Sequence, residues 1–241
     1  MKIVKGIEIA SKHGIFIRNL STIVFADLHI GYEQALEKQG IIIPKSQYKY
    51  IKEEIMSALN KTKAKRIVIN GDVKHEFGET NIQEWKETID LIEALKQKDV
   101  KINIVRGNHD NFLIPILKRH DIEVDDPFLL IKDVLFFHGH RDIEENIVEK
   151  SKTIIMAHEH PAIVLRDELG VKVKFKCFLV GKYKNKQIVV LPSPSPLMPG
   201  EEINLLSTDE LLSPFLRRCK LENFIAIIVE DKVYRFPLNS I

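Results

Sequence analysis

Seven nitrogen and oxygen donors stand at the ends of apolar runs along this 241-residue chain: Asp27, His29, Asp72, Asn108, His138, His158 and His160. None is a thiolate, and a set of imidazoles, carboxylates and an amide suits manganese, iron or zinc. Seven protein ligands are too many for one ion that keeps positions open for substrate, but they fit two ions sharing a carboxylate. Asp72, which leaves its strand after Gly71, is the candidate for the shared ligand. Two ions about 3.5 to 4 Å apart lower the pKa of a bridging water and clamp the attacking and leaving oxygens of an in-line displacement at phosphorus. Phosphoester hydrolysis is therefore the expected reaction class. Asn108 offers a neutral oxygen, which leaves the centre net positive toward an anionic substrate. Its neighbour His109 cannot easily point at the same ion and is free to protonate the leaving oxygen. Taken singly, each block has an ordinary explanation, Asp27 as a helix cap or Gly107-Asn108 as a turn. Recurrence at five strand ends is what favours the metal reading.

The elements that must position these donors are short apolar runs of the kind that strands covered on both faces require: residues 22–25, 66–70, 102–105, 134–137 and 153–156. In open α/β sheets, ligands bind at the carboxyl ends of strands, where all seven donors fall. Alternation puts Asp27 and His29 on one side of an extended chain, and His158 and His160 are spaced in the same way. Helical spacing covers residues 31–38, a segment opened by Pro44 with the stripe Tyr48, Ile51, Ile55 and Leu59, and a stripe of Ile82, Trp85, Ile89, Ile92 and Leu95. The single tryptophan, Trp85, is expected in the core. Residues 112–119 read as a further short helix. Hairpins are expected in the first twenty residues, about Lys132-Asp133, and at 224–236, the last closing a second sheet. From 171 to 178 apolar and basic residues alternate. Lys172, Lys174 and Lys176, followed by Lys182, Lys184 and Lys186, suggest an exposed edge strand protected against pairing, with a groove for a phosphate backbone as the functional alternative. The loop Pro192-Ser193-Pro194-Ser195-Pro196 is stiff and long enough to reach over a site.

With 44% hydrophobic and 29% charged residues and no low-complexity tract, the chain reads as one globular domain over 1–241. No apolar run approaches the roughly 18 to 20 residues that cross a bilayer, and the first residues lack a signal-peptide core. A cytoplasmic protein without a membrane partner is expected. Cys177 and Cys219 have no Cys-x-x-Cys spacing, which leaves a zinc ribbon or disulfide framework unsupported and suggests buried thiols. A net charge of +2 implies no polyanion partner by itself. Arg106, Arg119 and Arg141 adjoin or follow donor blocks, where they could meet phosphate or form surface ion pairs.

Taken in order, Asp27-x-His29, Gly71-Asp72, Gly107-Asn108-His109-Asp110, His138-Gly139 and His158-x-His160 resemble the five signature blocks of the calcineurin-like metallophosphoesterase superfamily, over residues 27–160. The resemblance implies an α/β fold, a four-layer α-β-β-α sandwich of two mixed sheets flanked by helices, with a binuclear metal site. By motif match, Asp27, His29 and His160 would hold one ion and Asn108, His138 and His158 the other, with Asp72 bridging and His109 acting in catalysis. Asp72-x-x-His75 resembles the branch of double-strand-break-repair nucleases, where that histidine helps the reaction, so His75 is a second catalytic candidate. Residues 177–181, Leu191-Pro192 and 200–204 resemble the small archaeal and bacterial phosphoesterases related to the repair-nuclease subunit. Ala157 stands where the superfamily usually has glycine, and alanine there excludes positive φ. The resemblance thus implies two divalent ions, manganese first, and a phosphodiesterase or nuclease acting on DNA or RNA. A phosphoesterase for a small molecule such as a cyclic nucleotide is the alternative within the enzymes, favoured by the compact chain. A metal-stabilised module that docks on a repair complex without chemistry is the alternative outside them, and the intact His109 argues against it.

Overall fold

The computed structural model describes residues 1–78 and 80–241. The first sheet has seven strands in sequence order: β1 (Lys2–Val4), β2 (Ile7–Ile9), β3 (Ile15–Ile17), β4 (Thr22–Phe25), β5 (Arg66–Asn70), β6 (Lys101–Val105) and β7 (Val124–Asp125). β1 to β4 pair antiparallel, and β4 to β7 pair parallel. Helices α1 (Tyr32–Lys38), α2 (Gln47–Thr62), α3 (Ile82–Lys96) and α4 (Ile114–Arg119) lie in the crossovers of that parallel half. The second sheet holds β8 (Leu129–Ile131), β9 (Val134–Phe136), β10 (Thr153–Met156), β11 (Pro161–Arg166), β12 (Lys172–Tyr183), β13 (Lys186–Val190) and β14 (Glu201–Glu202). The hairpin of β15 (Ile225–Val229) and β16 (Val233–Pro237) joins it through β12. Here β9, β10 and β13 run parallel.

Strand alternation divides the interior into three apolar layers. Ile23 and Phe25 of β4, with Ile67 and Ile69 of β5, pack on Ile51, Ile55, Leu91 and Leu95 of the helices. Their neighbours Val24 and Val68 face Phe136, Ile155 and Val189 of the other sheet. Leu135, Ile154, Met156 and Ile188 point the opposite way, toward Val148 of α5 (Glu145–Glu149), Phe215 and Leu216, the last of which opens a 3-10 turn. The result is helices, sheet, sheet, helices, as the motif resemblance implies, with a thin outer layer on the second sheet.

Two local expectations need correction and one is met. Among the described residues, 172–176 of β12 pair with β11 alone and form the exposed edge that the alternating lysines suggest, while β13 and β15 pair with residues 177–183 further along the strand. Its lysines are mostly engaged at home, Lys174 with Glu202 at 2.8 Å and Lys176 with the Ser193 carbonyl at 3.0 Å. Trp85 is not in the core but 46% exposed, and Ile82 is 66% exposed. The cause is a capping box at the start of α3. Asn81 accepts from Glu84 N while the Glu84 carboxylate accepts from Asn81 N and from the backbone N–H groups of His75 and Glu76. That inward Glu84 rotates Ile82 and Trp85 out, and the buried stripe runs through Thr88, Leu91, Ile92 and Leu95. The second helix starts at Gln47 rather than Pro44, because the Glu33 carboxylate accepts from Gln47 N at 2.7 Å and fixes the first turn there.

Candidate active site

The parallel pairing of β4, β5 and β6 sets three carboxyl ends side by side. The pairing continues past the strands: Asp27 N donates to Gly71 O at 3.0 Å, His29 N to Asp72 O at 3.0 Å and Ile30 N to Val73 O at 2.9 Å. In the second sheet Ala157 N donates to His138 O at 2.9 Å. The two sheets are tied at the same edge by the Asn70 amide, which donates to Phe137 O at 3.0 Å.

All seven donors named from the sequence lie at this edge. Asp27, His29, Asp72 and His160 each offer one donor atom within 4.8 Å of the others, and so do Asp72, His138 and His158, so Asp72 belongs to both groups. In the first group His160 Nε2 is 3.4 Å from Asp27 Oδ2 and 3.2 Å from His29 Nε2, and His29 Nε2 is 4.0 Å from Asp72 Oδ2. In the second, His138 Nε2 is 3.2 Å from Asp72 Oδ2 and 3.1 Å from Asn108 Oδ1.

The route to this convergence differs from the extended alternation expected. Asp27, His29, Asp72, His158 and His160 all have positive φ, between 45° and 70°. Non-glycine residues there cost of order 1 to 3 kcal/mol each and persist only where the surroundings impose them. Here the inter-strand hydrogen bonds beyond β4 and β5 do so on the first sheet. Two glycines make room for the donors. Gly71, at φ 91°, could carry no Cβ without striking the His138 ring, and a Cβ on Gly107 would strike the Asp72 carboxylate. Ala157 has no positive φ and is fully buried between the sheets, so it serves where a glycine was expected.

The electrostatics suit cations. Burial holds the His29 imidazole well below its ordinary pKa, and burial with the charge of His138 brings His158 to about 4, so both present neutral lone pairs. Burial works to raise the Asp72 carboxyl, but the facing His138 overrides it and keeps Asp72 far below the usual carboxylate range. Burial likewise opposes the charge on His138, and Asp72 outweighs it, raising His138 to about 9. A cation at these donors would displace that proton. His138 Nδ1 donates to Asn70 O at 3.0 Å, which fixes the ring and aims Nε2 at Asp72 and Asn108. Among the described residues, Asp27 Oδ1 is buried and has no hydrogen-bond partner. Orphaned carboxylate oxygen, shared Asp72 and oriented imidazoles together fit a pair of divalent ions.

The two catalytic candidates stand beside the donors. His109 Nε2 lies 3.7 Å from Asp72 Oδ2, its Nδ1 donates to the His75 carbonyl, and its backbone N donates to Asp72 Oδ1 at 3.0 Å. Burial lowers its pKa against the pull of Asp72. His75 is half-buried and stacked on Tyr32 at 3.8 Å, with its ring 5.4 Å from that of His29. Burial and the neighbouring His109 bring it to about 4. Arg106 is committed to Asp126 at 2.5 Å rather than to the site.

The motif reading passed over the residues that hold the donors in place. Asp110 is fully buried and accepts from the backbone N–H groups of Asp72, Val73 and Gly107, each at 2.9 Å, locking two donor loops together. Burial first, and then the charge of Asp72, raises its carboxyl to about 6. Ser193 Oγ donates to Asp27 O at 2.6 Å, and the Gln47 amide donates to His29 O at 2.9 Å and to Ser195 Oγ at 2.5 Å. The proline-serine loop therefore buttresses the first donor group from behind. Glu84 was legible as the last residue of Asn81-x-x-Glu84 ahead of an apolar run. Asp110 closes the Gly107-Asn108-His109-Asp110 block, whose pattern gives it no role of its own.

A family model described as calcineurin-like phosphoesterase matches residues 20–222. Among solved structures, the chain is similar to the Pseudomonas putida nuclease MPE, with 18% identity, 95% of this chain and 93% of that one covered, and a TM-score of 0.66. It also matches Yfce, a phosphoesterase from E. coli, with 17% identity over 72% of this chain and 80% of that one, at a TM-score of 0.45. No curated protein matches the sequence. Among the described residues, no helix is long and apolar enough to cross a membrane.

Proposed function

This chain belongs to the calcineurin-like phosphoesterase family, a family of metal-dependent hydrolases, and from that premise we propose that it is a phosphodiesterase, with nucleic acid as its substrate. The observation that carries the reading is the membership of Asp72 in both donor groups, which is the arrangement a bridged pair of ions needs. Asp27, His29 and His160 would hold one ion, and Asn108, His138 and His158 the other. Two divalent ions bound there supply Lewis acidity toward phosphoryl oxygens and lower the pKa of water between them. Manganese suits the mixed nitrogen and oxygen donors and is the ion to try first.

The protein's own part is to position groups and move a proton. Donation from Nδ1 to the His75 carbonyl fixes the His109 tautomer and leaves Nε2 facing the Asp72 carboxylate, where a leaving oxygen would lie. An incoming phosphate anion raises the imidazole pKa, which burial holds down, and so prepares His109 to donate at the moment of bond breaking. His75 supports this by presenting the carbonyl that His109 uses. Its stacked and half-buried ring fits a role in lining the leaving-group side. Because both sheets contribute donors, we propose that residues 1–241 act as one catalytic unit.

The test is hydrolysis of bis-p-nitrophenyl phosphate beside p-nitrophenyl phosphate by the manganese-loaded protein. The diester should be preferred, and His109→Ala should lower kcat by about 100-fold or more, the usual worth of a positioned acid. Preference for the monoester would remove the nucleic-acid reading, and turnover of neither would remove the enzymatic one.

A further inference from the structure

Phe77 is 60% exposed, yet one face of its ring is already covered. It stacks on His109 with centroids 3.7 Å apart and planes inclined by 29°. A ring covered on one side and still so exposed turns its other face to solvent. The companion imidazole has no such platform, since Tyr32, which stacks on His75, is itself half-buried. Phe112, 50% exposed, follows His109 by three residues, and Thr80 Oγ1 lies 3.5 Å from its carbonyl. Two exposed phenylalanines thus border the loops that carry His75 and His109. A single exposed aromatic on a protein surface needs no explanation. One that walls a candidate proton donor, where an anionic substrate must arrive, offers a flat apolar surface to whatever is attached to the phosphate.

We propose that Phe77 is a specificity-determining residue on whose outer face the base next to the scissile phosphate stacks. The substrate class is then nucleotide diesters with an unpaired base, as in single strands and frayed ends, in preference to duplex interiors or aliphatic phosphoesters. The inference rests on the phosphodiesterase reading above. A base lying on the open face sits about 3.5 to 4 Å beyond the phenyl plane, at aromatic contact distance. Its phosphate extends past the edge of the His109 ring to the Asp72 donors, since His109 Nε2 is 3.7 Å from Asp72 Oδ2. Bases inside a duplex are stacked on both faces and reach such a platform only after unstacking, which costs free energy. Every base has a π-face, so the preference is for unpaired bases rather than for a sequence.

The experiment compares two diesters with the same methyl group on the retained side and the same leaving sugar hydroxyl, thymidine 3′-(methyl phosphate) and its abasic counterpart with hydrogen in place of thymine, on manganese-loaded protein, because the His109 side of the site is the leaving-group side. Base stacking on an aromatic side chain is worth about 1 to 3 kcal/mol, or roughly 5- to 150-fold. The wild type should therefore favour the thymidine ester by about 5-fold or more in kcat/KM, chiefly through KM. F77A and F77L should each abolish that preference while leaving abasic-ester turnover within about 3-fold, and F77W should keep it. Leucine still covers His109, so it separates stacking from shielding. A wild type without the preference, a preference that survives in F77A and F77L, or equal losses on both esters would overturn the proposal. Turnover of neither ester by the wild type would instead overturn the phosphodiesterase reading beneath it.

Discussion

Replacing Asp110 by alanine tests whether the donor loops are held by one buried carboxylate. Three backbone N–H groups, from Asp72, Val73 and Gly107, lose their acceptor at once. Hydrogen bonds to a charged acceptor are worth about 1.5 to 3 kcal/mol each, so the gross loss is about 5 to 9 kcal/mol. Against it stands the cost of keeping this buried carboxyl ionised. Burial and the charge of Asp72 hold its pKa up at about 6 even with those hydrogen bonds made, so the net loss is smaller than the gross one. The destabilisation should still exceed about 1 kcal/mol, the cost of even one buried N–H left without an acceptor, measurable as a shift of the urea midpoint at unchanged slope. The same change frees the backbone of Asp72, so manganese affinity by titration calorimetry should fall about 10- to 100-fold, as for other residues that orient metal ligands. A loss of stability below about 1 kcal/mol together with unchanged manganese affinity would refute the reasoning. It would mean that the parallel pairing of β4, β5 and β6 suffices to place the donors.

Gly71→Ala should be as damaging through space rather than charge. The residue has φ 91°, and its new methyl group would meet the His138 ring. Manganese affinity should drop by at least about 10-fold with a cooperative unfolding transition retained, since a ligand has been displaced rather than a core emptied. A titration indistinguishable from wild type would contradict the close approach. Away from the site, Glu54 accepts from His13 N at 2.8 Å and pairs with His13 Nδ1 at 2.9 Å, and although burial alone would raise its pKa, the bonds to His13 lower it below 4.5. A carboxyl depressed in the folded state contributes stability above its unfolded pKa, and that stability is lost as pH falls through the folded value. Urea unfolding should therefore show Glu54→Gln less stable than wild type near pH 7, with the two converging as pH falls below 4.5. A constant difference across that range would count against the pairing.

The layer order and the seven donors were legible because each depends on local patterns. Apolar runs such as 67–69 and 153–156 must be covered on both faces, and Asp or His at each run's end marks the carboxyl edge. What stayed hidden depends on contacts distant in sequence. The capping pattern Asn81-x-x-Glu84 is local, but nothing near Trp85 says that Glu84 will also hold the backbone of residues 75 and 76 and shift the start of the buried stripe from Ile82 and Trp85 to Glu84 and Thr88. The alternating lysines of 172–176 mark an edge, but nothing near them says that the strand runs on inward as 177–183 to pair with β15, some fifty residues later, and with β13. Asp27 and His29 were placed together for the wrong local reason. Two left-handed residues, not an extended run, bring them to one point. Asp110, Ser193 and Gln47 act through backbone groups, and a residue's partner on another loop's backbone leaves no trace in its own neighbourhood.

The first sheet supplies Asp27, His29, Asp72 and Asn108, and the second supplies His138, His158 and His160, so neither donor group is complete within one sheet. On the proposed metal reading the centre would report on assembly. A chain with one sheet formed and the other undocked would hold only part of each donor group, so neither ion would have its full ligand set. For an enzyme that cuts phosphoesters, hydrolytic capacity would then depend on the docking of the two halves.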